Sequence, residues 1–312
     1  MKQGKIVVVM GGPSSEAEVS RRTGAAIVSA LESKGYAVEG MELDPPHFAE
    51  AIRKSDCAIV FNALHGRYGE DGVLQGTLDM LGIPYTGSGV LAAAVTMDKV
   101  MSKRVFLGAG ISTPRSETFH RFEFDAELPT RIRKAFSLPV VIKASSQGSS
   151  IGVAIVEKEE ELEAALKDAF RYDEEVLVEE FVRGKELTVA VWGDAREAQA
   201  FPVIEITTVS GRYDYASKYT KGASTHIIPA RIPSEVTERV QQLAVDAFRA
   251  CGCRGVARAD MMLGEDMTPY VIEINSMPGM TETSLVPDAG RAMGVEFPEL
   301  CERILEMAGY EK

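Results

Sequence analysis

Four polar residues near the end of the chain are placed to do chemistry together: Arg258, Asp260, Glu273 and Asn275. They fall in two segments, 256–263 and 270–275, that alternate apolar and polar residues around turn residues at 264–269, the pattern of an antiparallel hairpin. If Leu263 sits opposite Tyr270, Asp260 faces Glu273 and Arg258 faces Asn275. The four then share one face, with Ala257, Ala259, Met261, Ile272 and Ile274 on the other. Like charges opposite each other on paired strands repel, at a cost of roughly 0.2–1 kcal/mol. Arg258 can relieve part of that repulsion alone, as on a solvated polar sheet face. The preferred alternative is a hard divalent cation, because two carboxylates and an amide oxygen are ligands that Mg²⁺ takes while keeping room for waters and substrate phosphates.

Elements must carry this hairpin to a partner surface. A helix over 234–250, with Ser234 as its cap after Pro233, leads into it. The chain opens differently, with an apolar run at 5–10, a Gly-rich turn and a helical stretch over 16–34. Strand and helix patterns then alternate: strand 37–43, helix 46–54, strand 57–63, helix 73–81, strand 84–86 and a helix beyond Gly89. That alternation predicts a small doubly wound α/β unit. A helix up to Gly108, a strand at 138–143, a strand at 153–157, an acid-rich helix over 159–172 and a strand at 174–182 follow. Strands at 187–191 and 198–206 continue a sheet.

Several loops between these elements carry candidate ligand groups. Glu16 closes Gly11-Gly12-Pro13-Ser14-Ser15, a turn without dinucleotide-type glycine spacing; the residue is either a first-turn acid favoured by the helix dipole or a partner for a substrate ammonium. His65 lies in a Gly-rich loop after the third strand, the end at which open α/β sheets place ligands. After Lys143, residues 144–152 are small enough for backbone N–H groups to approach an anion, with Lys143 and Lys99 to supply charge. Residues 178–182 offer backbone amides to an adenine edge. The stretch 207–224 is polar, long and without core periodicity, and is expected to be a lid that excludes water from a reactive intermediate.

Composition narrows the classes. The chain has 312 residues, 45% hydrophobic, with 34 basic against 46 acidic residues and a net charge of −12. No basic run marks a nucleic-acid or membrane surface, so anionic ligands need locally placed lysines and arginines. The N-terminal apolar run is too short for a signal peptide or a span, which predicts a cytoplasmic protein. Four cysteines, Cys57, Cys251, Cys253 and Cys301, show no metal spacing beyond a lone Cys-x-Cys and are read as bystander thiols.

In order along the whole chain stand His65-Gly66, Gly69-Glu70-Asp71-Gly72, Tyr85-Thr86-Gly87-Ser88-Gly89, Met97-Asp98-Lys99, Gly148-Ser149-Ser150-Ile151-Gly152, Tyr213-Asp214-Tyr215, Lys218-Tyr219, Glu273-Ile274-Asn275 and Pro278-Gly279-Met280-Thr281. With these motifs the chain resembles the D-alanine–D-alanine ligases, enzymes of the ATP-grasp superfamily. The resemblance implies an N-terminal α/β domain over 1–96 and two α+β subdomains, 97–182 and 183–312, that sandwich ATP. It implies that Lys99, Lys143, Glu179, Glu180, Phe181 and Val182 contact the nucleotide and Glu186 its ribose. Asp260, Glu273 and Asn275 would hold two Mg²⁺ (or Mn²⁺) ions. Glu16 would hold the ammonium of the first D-alanine with His65 near it, while Ser149, Lys218 and Tyr219 tie the lid to the first domain. Arg258 and the Gly279 N–H would stabilise the tetrahedral intermediate, and Ser284 with the Leu285 N–H would hold the second D-alanine's carboxylate. The chain departs from the family's usual pattern at Ala144, where proline commonly follows the lysine, and at Glu180, where a lysine often precedes the aromatic residue.

The implied activity is ATP-dependent formation of D-alanyl-D-alanine for peptidoglycan synthesis, through a D-alanyl phosphate, by a homodimer. The rival substrates are D-serine or D-lactate as acceptor. A nucleotide-binding protein without turnover and a nicotinamide oxidoreductase are the rivals from other classes. The intact Arg258, Asp260, Glu273 and Asn275 set argues against the first and the glycine spacing of the opening turn against the second.

Overall fold

A computed structural model of the chain describes residues 4–148, 151–208, 223–281 and 284–310. The first segment builds a parallel sheet from β1 (Lys5–Met10), β2 (Val38–Glu42) and β3 (Cys57–Asn62), in the order β2-β1-β3. Helices α1 (Ala17–Ser33) and α2 (Phe48–Ser55) make the crossovers, and α3 (Val73–Leu81) follows β3. Ile6 and Val8 enter one core while Val7 and Val9 enter another. Burial on both faces is why β1 reads as an unbroken apolar run. The strand expected at 84–86 is reduced to a bridge at Tyr85, which pairs with Val60 on one side and Gly309 on the other.

Helices α4 (Val90–Met97) and α5 (Lys99–Gly108) meet at Asp98. Its extended backbone ends α4, and its carboxylate caps α5 by accepting the Met101 N–H at 3.0 Å. The same carboxylate accepts the Ser145 hydroxyl at 2.7 Å, fixing α5 to the next sheet.

That sheet is antiparallel, with β4 (Ser116–His120), β5 (Val140–Ala144), β6 (Val153–Val156) and β7 (Glu175–Glu180) in the order β4-β7-β5-β6. It packs its own core, including Leu128, Ile132, Ile142, Leu166 and Val178, under α6 (Leu128–Ala135) and α7 (Leu162–Ala169). The helix expected over 159–172 is shorter, because a 3₁₀ turn at Glu159–Glu161 precedes α7.

The third sheet comprises β8 (Gly184–Gly193), β9 (Ala198–Ala200), β10 (Ile204–Thr208), β11 (Ser224–Ile227), β12 (Gly255–Gly264) and β13 (Pro269–Asn275). Its order is β11-β10-β8-β12-β13, with β9 also on β8. The strand expected at 198–206 breaks between β9 and β10, where Pro202 has no N–H for the ladder. Residues 207, 208 and 224, expected in a loop, belong to β10 and β11, with Thr207 opposite Thr225 and Thr208 opposite Ser224. Residues 209–222 lie outside the described residues.

One face of this sheet packs on α8 (Ser234–Ala250), burying Leu187, Val189 and Met261 with Val240 and Phe248. Ser234 is the first residue of α8 rather than its cap; Pro233 holds the cap position and makes no side-chain capping bond. The other face shares a core with α1, α9 (Leu285–Ala292) and α10 (Phe297–Glu306), through Ala190, Val256, Ile27, Val286 and Ile304.

Candidate active site

The four-stranded and six-stranded sheets face each other across a cleft of about 1420 Å³, closed at one end by α1 and the His65 loop. On one wall is the β12–β13 hairpin. Arg258 pairs with Asn275 and Asp260 with Glu273, the partners read from the sequence, although Leu263 faces Pro269 and Met262 faces Tyr270. A bulge reconciles the two: the register shifts between Asp260 and Met261, leaving Ile272 as the extra residue on β13. Ile272 therefore turns to the cleft beside Glu273, half-buried, and Val271 takes the core position expected for Ile272.

Asp260 is oriented from two sides. Arg258 forks it through Nε at 2.7 Å and Nη2 at 2.6 Å, and the Thr188 hydroxyl on β8 donates to Oδ1 at 2.6 Å. Such bidentate, charge-assisted bonds fix geometry as well as charge. Across the cleft, Lys99 at the start of α5 sits 3.5 Å from Glu273 and donates to the Gln147 carbonyl at 2.6 Å. Asn275 Oδ1 accepts the Met277 N–H at 3.1 Å, which leaves a second lone pair. Among the described residues no group of three or more His, Cys, Asp or Glu side chains is poised for a metal. The oxygen set of Asp260, Glu273 and Asn275 contains only two carboxylates. All three donors are hard oxygens on one face, so the residues fit Mg²⁺.

The opposite wall holds a buried charge cluster. Lys143 on β5 meets Glu179 on β7 at 2.6 Å, and Lys103, one helical turn beyond Lys99, meets the other Glu179 oxygen. Burial alone would raise the Glu179 pKa, but the two ammonium groups outweigh it and hold the carboxyl below its usual range. Burial pulls Lys103 down to about 8, against the attraction of Glu179. Sequence reading missed Lys103; its i,i+4 spacing from Lys99 on one helix face was the available signal. Glu180, Phe181 and Val182 continue along the cleft from β7, and Glu186 on β8 also lines it. Glu180 points to the exposed rim, 3.9 Å from Arg115. Ala144 is fully buried and donates its N–H to the Gly152 carbonyl at 3.0 Å, a bond that proline could not make.

At the closed end, Glu16 stands at the start of α1, where the helix N-terminus favours an anion. Its carboxylate lies so close to Gly66 and Gly148 that a Cβ on either would come within 2.9 Å of Oε2. His65 is buried, contacting Thr23 Oγ1 at 3.1 Å and Glu70 at 3.4 Å. Gly279 and Ser284 are neighbours, because a Cβ on Gly279 would meet the Ser284 hydroxyl at 3.0 Å. Leu285 opens α9 beside them. Ser149, Lys218 and Tyr219 lie outside the described residues. The cysteines stand apart from the cleft: Cys251, Cys253 and Cys301 are buried, and burial pushes the Cys251 and Cys301 thiols up to about 12.

Two sheets closing on an acid- and lysine-lined cleft behind a parallel α/β unit define an ATP-grasp ligase. Comparison with known proteins agrees: the family model described as D-ala D-ala ligase N-terminus matches residues 40–88, and D-ala D-ala ligase C-terminus matches residues 105–306. The chain belongs to the D-alanine–D-alanine ligase family. A protein named D-alanine–D-alanine ligase from Desulforudis audaxviator is 49% identical over 97% of this chain and 98% of its own length. One of the same name from Moorella thermoacetica is 48% identical over 97% and 99%. Among solved structures, the Bacillus anthracis D-alanine–D-alanine ligase complexed with ATP superposes with a TM-score of 0.84 at 33% identity, over 98% of this chain and 97% of that one. A D-Ala:D-Ser ligase from Enterococcus faecalis superposes at 0.83 with 31% identity, over 98% and 99%.

Proposed function

We propose that the protein joins two D-alanine molecules into D-alanyl-D-alanine, converting ATP to ADP and phosphate, as a step of peptidoglycan precursor synthesis. The observation that carries this reading is the meeting, in one cleft, of the Asp260–Glu273–Asn275 face with Lys99 and the Lys143–Glu179–Lys103 cluster. Joining a carboxylate to an amine in water is uphill. The carboxylate of the first D-alanine, held through its ammonium by Glu16, first takes the γ-phosphoryl group of ATP. The amine of the second then attacks the acyl phosphate, and phosphate departs with the C–O bond.

Lys99 and Lys143, joined by Lys218, face the transferring phosphoryl group, and Arg258 with the Gly279 N–H faces the developing oxyanion. Magnesium ions held by Asp260, Glu273 and Asn275 would supply further positive charge to the phosphates. Glu179 through Val182 take the adenine, and Glu186 the ribose. Ser284 and the Leu285 N–H receive the acceptor's carboxylate, while Ser149 and Tyr219 join the lid to the first domain. The three segments 1–96, 97–182 and 183–312 act as base, nucleotide wall and metal wall. The working form is a cytoplasmic homodimer that needs neither nucleic acid nor membrane. Among the described residues no helix is long and apolar enough to cross a membrane.

The test is phosphate release from Mg-ATP against a panel of D- and L-amino acids. D-Alanine alone is expected to drive turnover, with D-serine and D-lactate poor as acceptors. Release no faster with D-alanine than with no amino acid, or faster with an L-amino acid, would overturn the reading.

A further inference from the structure

The strand β11 and the helix α9, remote in sequence, are joined by one short contact. Nδ1 of His226, on β11, lies 2.5 Å from Oδ2 of Asp288, in the first turn of α9. An ionised carboxylate only accepts, so Nδ1 carries the proton that bridges them. The other oxygen, Oδ1, is taken by Arg291 Nη2 on the same helix. The His226 and Asp288 side chains are 15% and 19% exposed, so water screens this pair only in part.

Asp288 stands at a sensitive place. Its N–H donates to the Ser284 carbonyl at 3.2 Å, the first turn of α9, and Ser284 and Leu285 line the cleft. An aspartate in a first turn ordinarily serves the helix's own free N–H groups and its positive end. Here both oxygens are turned to His226 and Arg291, and the Ser284 side chain at the cap position makes no capping bond. The Ser284 N–H is held by the Thr281 carbonyl at 3.0 Å, so the Leu285 N–H is the group left to an incoming anion, and the Asp288 carboxylate that would repel it is paired with His226 and Arg291.

We infer that His226 tunes the affinity for the second amino acid by masking Asp288, making it a positioning residue for the acceptor's carboxylate. This rests on the ligase reading, in which that carboxylate docks at Ser284 and Leu285. Sequence reading assigned neither His226 nor Asp288 a role.

The experiment measures steady-state turnover of the full chain with D-alanine varied at saturating Mg-ATP, for wild type, His226→Ala, His226→Gln, Asp288→Asn and the double variant H226A/D288N. His226→Ala should raise the acceptor-site KM by roughly three- to tenfold, the size of one partly buried charge or dipole interaction, with KM for ATP unchanged. His226→Gln, which keeps a donor, should fall between. The double variant should return the acceptor-site KM to within about twofold of wild type, because removing the unmasked charge removes the repulsion. A tie that only holds β11 to α9 would not be rescued in this way, so a double variant as weak as His226→Ala would overturn the inference. An unchanged KM in His226→Ala would do the same. A wild-type protein silent with D-alanine would sink the ligase reading and this inference together, whereas an active wild type with indifferent variants sinks only the inference.

Discussion

Lys103 shows how much a single buried side chain decides here. It is 3% exposed, and besides Glu179 its Nζ reaches the Thr113 hydroxyl at 2.5 Å and the Pro114 carbonyl at 3.2 Å. Its pKa is depressed to about 8 by burial. Well above the ordinary lysine value of about 10.4 the group is neutral whether folded or unfolded, and its burial costs nothing. Between that value and about 8 the unfolded chain binds the proton and the native one does not, so stability rises with pH across that window. Below it the full cost is present. The urea midpoint of the wild type, compared with that of Lys103→Met, is therefore expected to climb between about pH 8 and 10, the two proteins running parallel below pH 7. A difference that stays flat across that window would show that Lys103 keeps its ordinary pKa. Lys103→Met also leaves Glu179 with Lys143 alone, so KM for ATP should rise while the acceptor-site KM holds. At the metal face, Asp260→Asn should cut turnover by orders of magnitude while the protein still folds, since it removes charge rather than packing, at some loss of stability from the broken Arg258 fork. Near-normal phosphate release from that variant would remove Asp260 from the machinery.

At the level of elements, the hairpin was the part most legible in the residues, and its error is instructive. Alternation placed Arg258, Asp260, Glu273 and Asn275 on one face because polar and apolar residues exchange cleanly there. Val271-Ile272 is apolar at both positions, so no periodicity says which one faces the core, and the bulge between them was invisible. Lys103 and Glu179 were harder still, since their partnership comes from a helix and a strand set side by side only in the folded chain. The same limit hid Thr188 behind Asp260 and Asp98 between two helices. The bulge makes a prediction. Val271 is fully buried in the core, so Val271→Ala should cost roughly 2 kcal/mol of stability in urea unfolding and leave KM for ATP alone. Ile272 is half-buried on the cleft, beside Met262 and Glu273, so Ile272→Ala should do the reverse. Equal effects of the two substitutions on stability would mean that Ile272 faces the core after all.

On the scale of the whole molecule, the chain is not three independent beads. The first sheet, the six-stranded sheet and the C-terminal helices share a core in which Ile6, Ile27, Val256 and Ile304 meet. Lys34, at the C-terminal cap of α1, also bridges Glu299 and Glu302 on α10 at 2.9 and 2.7 Å. The four-stranded sheet differs, with an apolar core closed within residues 119–178. It is held to the rest by a few polar contacts near the cleft, among them Asp98 with Ser145 and Lys99 with the Gln147 carbonyl. A unit with its own core and few links to its neighbours opens at lower free energy than the molecule as a whole. Calorimetry of the nucleotide-free protein is therefore expected to show a lower transition for this sheet and an upper one for the remainder. Mg-ATP contacts both walls of the cleft in the proposed function and binds only the closed native arrangement. At about 100 times its Kd it should stabilise the lower-melting unit by ~2.7 kcal/mol. For a unit of this size each kcal/mol moves the midpoint by roughly 4–8 °C, so the lower transition should climb by something like 10–20 °C and merge with the upper. Asp260→Asn should weaken that climb with Mg-ATP while both nucleotide-free transitions remain present. A single nucleotide-free transition that Mg-ATP does not move would show that the four-stranded sheet neither opens by itself nor takes part in holding the nucleotide.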